Sequence, residues 1–206
     1  MATKHKIRLG ILASGNGTNL QSIIDEGEAD RLDAIVACVI SNDAGAFALE
    51  RARRHGIPDI AIERDKFPSR ETFERAILSS LREYQVELVC LAGYMKILGP
   101  DMLATFKGRI INIHPALLPS FPGLEGQKQA LDYGVKIAGC TVHVVDEKTD
   151  HGPIICQAAV DVLEGDTVES LGKRILKEEH RIYPKAIQMI ADGKVNIDGR
   201  RVSIEH

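Results

Sequence analysis

The chain contains no tryptophan, and only 4% of its 206 residues are aromatic. A core built mainly on packed rings is therefore excluded. Hydrophobic residues nevertheless make up 44% of the sequence, which is enough for one sizeable core of aliphatic side chains. We expect a single domain over residues 1–206.

Charge of one sign is not concentrated anywhere, because 29 acidic and 26 basic residues give a net charge of -3 without long single-sign runs. This pattern excludes the broad basic surface of a nucleic-acid-binding protein, so we expect no nucleic-acid partner. Residues 1–15 hold only a short apolar run, unlike a signal peptide or a membrane span. We expect a cytoplasmic protein that does not associate with membranes.

The cysteines form no Cys-x-x-Cys pair, and each lies inside a short apolar run, as reduced core thiols do. They are Cys38, Cys90, Cys140 and Cys156. The histidines and acids likewise show no ligand spacing such as His-x-x-x-His. We therefore expect neither disulfides nor a bound metal.

Short aliphatic runs alternate with segments of helical periodicity, the pattern of parallel strands whose connections cross over as helices. Near-continuous hydrophobicity predicts five strands buried on both faces, at 7–13, 34–40, 59–63, 86–92 and 109–114. Helices are predicted between them from apolar stripes that begin at Leu20, Phe47 and Phe73, with Ser69 as a cap of the third. The first half therefore predicts the α/β class, with a Rossmann-like, mostly parallel sheet and flanking helices.

The second half follows a different pattern. Its apolar runs 138–146 and 152–162 are joined by only five residues, too few for a crossover, so they are predicted to pair as added antiparallel strands. A long amphipathic helix is predicted from Asp166 or Thr167 to a terminating Gly193, with a kink at Pro184. The dipeptide Asp-Gly at 198–199 predicts a final hairpin.

The sequence SGNGTN follows the first strand and precedes its helix, where backbone amides converge and their partial positive charge favours an anion. Gly15 and Gly17 permit a close approach of the backbone to a ligand. A dinucleotide fingerprint needs a third small residue where Leu20 stands, so a monophosphate fits better than NAD. The alternative is a tight turn in which Thr18 or Asn19 merely caps the helix.

Two polar residues, Asn112 and His114, interrupt the fifth strand near its carboxyl end, where open parallel sheets bind ligands. Residues two apart in a strand face the same side, so the amide and the imidazole should enter one cleft. Pro115 and Pro119 then end the strand. Such a pair suits stabilisation of an oxyanion. The alternative is a buried polar pair that ties the proline-rich loop to the sheet.

Three acids, Asp146, Glu147 and Asp150, lie in the loop between the antiparallel strands. Asp150 precedes His-Gly-Pro, where the chain turns back toward the sheet, so its carboxylate is expected to reach an imidazole and set its charge state. The other acids are interpreted as solvated turn residues. His143, within the preceding strand, is interpreted as a core or supporting histidine.

Five segments in order, SGNGTNLQSII, LAGYMKIL, INIHPALLPSFPG, TVHVVDEKTDHGPII and EEHRIYP, resemble the phosphoribosylglycinamide formyltransferases, folate-dependent enzymes of purine synthesis. The resemblance spans nearly the whole chain and is most specific in the Asn-x-His-Pro segment with its distant Asp-x-Gly-Pro loop. It implies transfer of a formyl group from 10-formyltetrahydrofolate to the amine of glycinamide ribonucleotide. Asn112, His114 and Asp150 would be the catalytic trio.

The resemblance also implies the binding residues. The nucleotide phosphate is expected to bind at Gly17, Thr18 and Asn19. Glu179 is expected to contact the polar end of the nucleotide. Without the resemblance, Glu179 would be interpreted as a solvated acid on an amphipathic helix. The expected folate contacts are Arg70, Met95, Lys96, Ile97, Leu98, Asn112, Asp146, Glu147, Lys148, Thr149 and Asp150. Lys96 departs from the arginine that members often carry, which removes a planar fork. Residues 1–108 would thus bind phosphate, and residues 109–206 would carry catalysis and folate binding.

The expected reaction is direct attack of the amine on the formyl carbon, with the oxyanion held by the Asn112 amide and a protonated His114 that Asp150 stabilises. Enzymes of the methionyl-tRNA formyltransferase or formyltetrahydrofolate hydrolase type are alternatives, but the chain length argues against both. A non-catalytic nucleotide-binding module is a third, but it leaves the trio unexplained. The expected partners are small-molecule substrates, and the expected oligomeric state is a monomer or a homodimer.

Overall fold

The computed structural model describes residues 5–205. Its strands are β1 (Ile7–Ala13), β2 (Ala34–Ser41), β3 (Asp59–Ala61), β4 (Leu88–Leu91), β5 (Ile110–His114), β6 (Ile137–Val144), β7 (Ile154–Asp161), β8 (Val195–Asp198) and β9 (Arg201–Ile204). Its helices are α1 (Thr18–Glu28), α2 (Phe47–Arg54), α3 (Arg70–Glu83), α4 (Pro100–Thr105), α5 (Gly126–Tyr133) and α6 (Val168–Ala191). No helix within this described range combines the length and apolar character needed to cross a membrane.

Seven strands form one sheet in the order β3-β2-β1-β4-β5-β6-β7, and β8 and β9 form a separate pair. β1 pairs in parallel with β2 and β4, β2 pairs in parallel with β3, and β6 and β7 are antiparallel. The predicted α/β fold, a mostly parallel sheet with antiparallel strands added in the second half, is confirmed. The chain divides into two compact units, one ending at Ile111 and the other beginning at Asn112.

In the first unit, the strand order reverses between β1 and β4. This is the kind of position at which open α/β sheets bind ligands, beyond the carboxyl ends of the strands. The predicted stripe of α1 is confirmed, since Leu20, Ile23 and Ile24 are buried. Ser69 caps α3 by accepting a hydrogen bond from the Thr72 N–H, as the sequence predicts.

The assignment of Phe47 to an apolar core stripe is wrong. Phe47 is 42% exposed, while Ala48 and Leu49 of the same helix are buried. The guanidinium groups of Arg51 and Arg54 lie 4.8 and 5.3 Å from the ring centroid of Phe47. A short helix with three arginines covers an exposed ring with cations, so the ring needs no place in the core.

The second unit is organised around α6. Thr167 caps the helix, and Ser170 bonds back to the cap, which together form a capping box. The helix runs without interruption through Pro184 and ends at Ala191, and Gly193 follows in the left-handed region at φ 69°. Of the two predicted caps, Asp166 and Thr167, the structure has Thr167, and the terminating glycine is confirmed.

Several boundaries differ from the sequence prediction. β3 ends at Ala61 instead of residue 63, and β4 spans Leu88–Leu91 instead of 86–92. β6 and β7 are also shorter at their shared loop, ending at Val144 and beginning at Ile154. Apolar runs extend past the last ladder hydrogen bond because core burial continues into the flanking turns. Two helices, α4 and α5, were not predicted, and they are only six and eight residues long.

The terminal hairpin forms one residue later than the Asp-Gly signal suggests. Asp198 pairs with Arg201, so the two turn residues are Gly199 and Arg200. Gly199 has φ 56° at the first turn position, where a type II′ turn places glycine. Arg200 is therefore displayed at the tip of the hairpin.

The cysteines are free thiols, as predicted. Cys38, Cys90 and Cys140 are fully buried, whereas Cys156 is only partly buried. Burial raises the pKa of the Cys38 thiol to about 12 and that of Cys156 to about 11. These thiols therefore stay protonated at neutral pH, which leaves them unreactive as nucleophiles.

We expect Thr167→Ala to lower the free energy of unfolding by about 1 kcal/mol, because the N–H of Ser170 loses its side-chain acceptor. Urea denaturation followed by circular dichroism measures the change. Thr167→Ser keeps the hydroxyl and is the matched control. Equal losses in both variants would contradict the role of this cap.

Candidate active site

Side chains from β5 converge on the carboxylate of Asp150, in the loop after β6. Asn112 donates from Nδ2 to Asp150 Oδ1 over 3.5 Å. His114 places its Nδ1 3.3 Å from Asp150 Oδ2. The two β5 residues reach the same group because alternate residues of a strand face the same side. The structure thus brings together the three side chains that the sequence analysis singled out as catalytic.

His143 is a fourth member of this cluster, which the sequence analysis did not place there. It is 2% exposed. Its Nδ1 donates to the Val144 carbonyl over 3.0 Å, and its Nε2 lies 3.2 Å from Asn112 Nδ2. The same Nε2 lies 3.6 Å from Asp150 Oδ1. Because the Asp150 carboxylate can only accept, the NH2 group of Asn112 faces it, which fixes the orientation of the amide.

His114 is 4% exposed, and both of its ring nitrogens face oxygen atoms. Nε2 lies 2.8 Å from the Phe121 carbonyl, and Nδ1 faces Asp150. Burial lowers the pKa of His114, and the opposing effects of the Phe121 carbonyl and the Asp150 carboxylate do not fully offset it. The neutral ring, with its proton on Nε2, therefore predominates at neutral pH and leaves Nδ1 as the basic atom.

Asp150 also accepts a hydrogen bond from the backbone N–H of Gly123, over 2.7 Å at Oδ2. Burial raises the pKa of this carboxyl, but the hydrogen bonds with His143 and the Gly123 N–H, and the positive charge that His114 carries when it is protonated, together lower it by more. The pKa of Asp150 thus lies below its usual range. Its carboxylate is therefore charged at neutral pH.

The loop that carries Asp150 is closed tightly at its base. The Val144 N–H donates to the Pro153 carbonyl over 2.8 Å. A Cβ on Gly152 would overlap the Val144 carbonyl, so only glycine permits this closure. Asp150 itself has φ 50°, in the left-handed region that aspartate tolerates better than most residues. The Asp-x-Gly-Pro sequence is thus explained by backbone geometry as well as by the carboxylate.

The rest of this loop, predicted to contact folate, is largely exposed. Glu147, Lys148 and Thr149 are exposed, whereas Asp146 is partly buried. Asp146 accepts from the Lys148 N–H over 3.0 Å and pairs with His151 Nδ1 over 2.8 Å. Asp146 is therefore engaged in loop structure, unlike the solvated turn acid that its sequence position suggests.

The SGNGTN loop of the first unit adopts an open helix amino terminus. Gly17 is the N-cap of α1 at φ 71°, and it offers no side chain to cap the helix. A Cβ on Gly17 would come within 2.8 Å of the Ala48 Cβ, and the Ala48 N–H donates to the Gly15 carbonyl over 3.0 Å. The alternative in which Thr18 or Asn19 caps the helix is therefore wrong. The first-turn amides are positioned to bind an anion.

Arg51 braces this loop, a role that the sequence analysis did not assign. Its Nε donates to the Asn16 carbonyl over 2.8 Å, and its Nη2 donates to Asn16 Oδ1 over 2.9 Å. A third bond runs from Nη1 to Gln21 Oε1 over 3.0 Å. The planar fork of arginine thus holds the middle of the loop in one geometry.

The predicted folate segment of the first unit is held at both ends. The Met95 N–H donates to Ser14 Oγ over 2.8 Å, and Arg70 Nη2 donates to the Ile97 carbonyl over 3.1 Å. Met95 and Ile97 are 61% and 75% exposed, Lys96 is also exposed, and Leu98 is partly buried. Large apolar side chains held open to solvent on a fixed backbone are typical of a ligand-binding surface.

Arg70 and Glu179 are the remaining predicted binding residues. Arg70 is held by an ion pair with Glu74, whose buried carboxylate lies 3.2 Å from Arg70 Nε. Glu179 lies on the buried face of α6 and is only 7% exposed, so it is not the solvated acid of the alternative interpretation. Within residues 5–205, no group of three or more histidine, cysteine or acidic residues has the arrangement of a metal site.

The comparisons with known proteins agree with one another. The family model described as formyl transferase matches residues 7–187. Phosphoribosylglycinamide formyltransferase of Bacillus subtilis is 43% identical over 183 residues, which cover 89% of this chain and 94% of that protein. The crystal structure of glycinamide ribonucleotide transformylase 1 from Symbiobacterium toebii is 56% identical, with a TM-score of 0.97 over 99% of this chain and 96% of that one.

Longer relatives contain the same unit. The trifunctional purine biosynthetic protein adenosine-3 of Drosophila pseudoobscura pseudoobscura is 46% identical over 205 residues, which cover 98% of this chain. The aligned region is only 15% of the length of that relative. The chain therefore corresponds to one part of the trifunctional protein and to nearly all of the bacterial one.

We expect acidification to destabilise the wild type more than His114→Gln. The pKa of His114 is lowered in the folded protein from the ordinary value of 6.5, so below that pH the unfolded chain binds a proton that the folded chain does not. Stability from this group is thus complete above pH 6.5 and declines as pH falls through the folded-state pKa. Urea denaturation from pH 8 to 5 measures it. Parallel pH dependences in the two proteins would contradict this assignment.

Proposed function

Because the chain belongs to the formyl transferase family, we propose that it transfers a formyl group from 10-formyltetrahydrofolate to the primary amine of glycinamide ribonucleotide. The observation that carries the proposal is the cluster around Asp150, in which a partly buried amide, a buried imidazole and a partly buried carboxylate meet. Such a set suits acyl transfer. The alignment over 94% of the Bacillus subtilis enzyme supports adopting the activity named for that enzyme.

In this proposal, Asn112 holds the oxygen of the tetrahedral intermediate. Its contact with Asp150 Oδ1, at 3.5 Å, is at the limit of hydrogen-bond length, so that N–H can turn to a substrate oxygen at small cost. The bond to His143 Nε2, at 3.2 Å, keeps the amide oriented. A donor already aimed where charge develops favours the transition state over the ground state.

His114 is assigned the proton transfer through Nδ1. As the amine attacks the formyl carbon, a nitrogen–hydrogen bond breaks and Nδ1 takes the proton. Asp150, 3.3 Å away, stabilises the imidazolium that results. The proton then passes to the folate nitrogen as its bond to the formyl carbon breaks, which releases tetrahydrofolate. This differs from the expectation of a resting, protonated His114, because burial disfavours the charged ring.

The binding residues follow from the same proposal. The nucleotide phosphate is assigned to the backbone amides at Gly17, Thr18 and Asn19, because an uncapped helix amino terminus favours an anion. Glu179 is assigned to the polar end of the nucleotide. Folate is assigned to Arg70, to the held segment 95–98 and to the loop 146–150.

Other functions make different products. A hydrolase of 10-formyltetrahydrofolate would release formate without an amine acceptor, and a nucleotide-binding module would bind the ribonucleotide without releasing tetrahydrofolate. A spectroscopic assay of tetrahydrofolate release, with and without glycinamide ribonucleotide, separates these cases. Release that depends on the ribonucleotide supports the proposal. Equal release without it would replace the proposal by hydrolysis.

We expect Asn112→Ala to lower kcat by roughly a hundredfold, the usual scale for removing one oxyanion donor. The exposed Asn196 provides a matched control, since Asn196→Ala removes the same atoms far from the cluster in sequence. Steady-state rates and the urea midpoint are measured for both variants. Turnover of a folded Asn112→Ala variant at the wild-type rate would contradict the role of this amide.

We also expect Arg51→Met to raise KM for the ribonucleotide roughly fivefold, the scale of losing about 1 kcal/mol of contacts that hold the loop. KM for the folate should not change. Arg54→Met is the control, because Arg54 also lies on the Phe47 ring but pairs with Glu50. Thermal shift with glycinamide ribonucleotide gives a second measure. Equal shifts in wild type and Arg51→Met would argue against the brace.

A further inference from the structure

The terminal hairpin lies beyond residue 187, where the match to the formyl transferase model ends. It nevertheless contacts the loop that carries Asp150. We propose that Arg200, at the tip of this hairpin, is a positioning residue that holds the loop 146–151 and so keeps Asp150 in place for the reaction. The inference rests on the proposed function for its catalytic consequence, but the contact itself can be tested without substrate.

Arg200 makes its main bond to the backbone of the loop. Its Nη1 donates to the His151 carbonyl over 2.7 Å. The same atom lies 3.2 and 3.1 Å from the two ring nitrogens of His151, a position over the ring face and not in line with one lone pair. One guanidinium group thus holds both the main chain and the side chain of the residue that follows Asp150.

Further contacts connect His151 to the start of the loop. His151 Nδ1 pairs with Asp146 Oδ2 over 2.8 Å, and Asp146 Oδ1 accepts from the Lys148 N–H over 3.0 Å. Arg200 therefore stands at the end of a chain of contacts that joins both sides of the loop. Because Glu147, Lys148 and Thr149 are exposed, few other contacts restrain this segment.

Asp150 depends on such restraint for a physical reason. Its backbone is in the left-handed region at φ 50°, which a non-glycine residue occupies only when the surroundings enforce it. Its Oδ2 must also reach both the Gly123 N–H and His114. A loop free to relax would move the carboxylate away from these partners. Arg200 reduces that freedom through His151, the residue between Asp150 and the tight closure at Gly152.

The hairpin is built to display this arginine. Gly199 takes the positive φ of the first turn position, so the second position falls on Arg200. β9 packs beside β7, which fixes the hairpin to the strand that begins after the loop. An arginine on a short, anchored turn loses less freedom on binding than one on a mobile tail.

The test uses Arg200→Met in the full chain, with Arg201→Met as the matched control, because Arg201 is exposed and adjacent. We expect Arg200→Met to lower kcat roughly five- to tenfold at unchanged KM for the ribonucleotide, since a misplaced catalytic group lowers kcat. Arg200→Lys should restore part of the rate. The control should keep the wild-type rate.

A double variant separates positioning from a general structural effect. If Arg200 acts through Asp150, then Arg200→Met should have no further effect on kcat in an Asp150→Asn background. An equal loss in both backgrounds would overturn the proposal, and so would wild-type kcat in Arg200→Met.

Hydrogen exchange without substrate tests the contact independently of catalysis. Peptides that cover residues 146–151 should exchange faster in Arg200→Met than in the wild type or in Arg201→Met. Unchanged exchange would overturn the inference. If the wild type transfers no formyl group, the proposed function fails, whereas the exchange result still decides whether Arg200 holds the loop.

Discussion

The partly buried carboxylate of Asp150 is the constraint on which the site depends. It contacts Asn112, His114 and the Gly123 N–H, and it lies near His143. A charge that has left water must be met by donors, and here the Asn112 amide and the Gly123 N–H meet it. Moving the carboxylate would leave Asn112 and the Gly123 N–H without their acceptor, and His114 without the charge that stabilises its protonated form. The orientation of the Asn112 amide and the stabilisation of a protonated His114 thus depend on one residue.

Much of the fold could be predicted from the sequence, because the long apolar runs and capping residues encode it locally. β1 begins and ends as predicted, and α6 begins after Thr167 as predicted. The short helices α4 and α5 were not predicted, because six or eight residues give too few turns for a periodic pattern. The turn at Gly199 shifted by one residue because strand pairing, not the dipeptide alone, selects the register.

The site could be predicted only in part. Spacing in a strand placed Asn112 and His114 on one side, and the loop sequence pointed to Asp150. No local signal distinguishes His143, which faces Asn112, from any other histidine on a buried strand face. The roles of Arg51 and Arg200 were also not predicted, because their partners are 35 and 49 residues away in the chain. Contacts made across such separations depend on the whole fold and leave no pattern in the neighbouring sequence.

The chemistry of His114 reflects a balance between two opposing effects. Two oxygen acceptors, the Phe121 carbonyl and Asp150, would favour a doubly protonated ring, while burial favours the neutral one. A ring fully stabilised as the cation could not take a proton from the attacking amine, and a ring without Asp150 could not keep one. Because burial outweighs the acceptors, Nδ1 carries no proton at rest, yet it faces a carboxylate that stabilises the charge of the protonated ring. That condition suits a group which must first accept a proton and then release it.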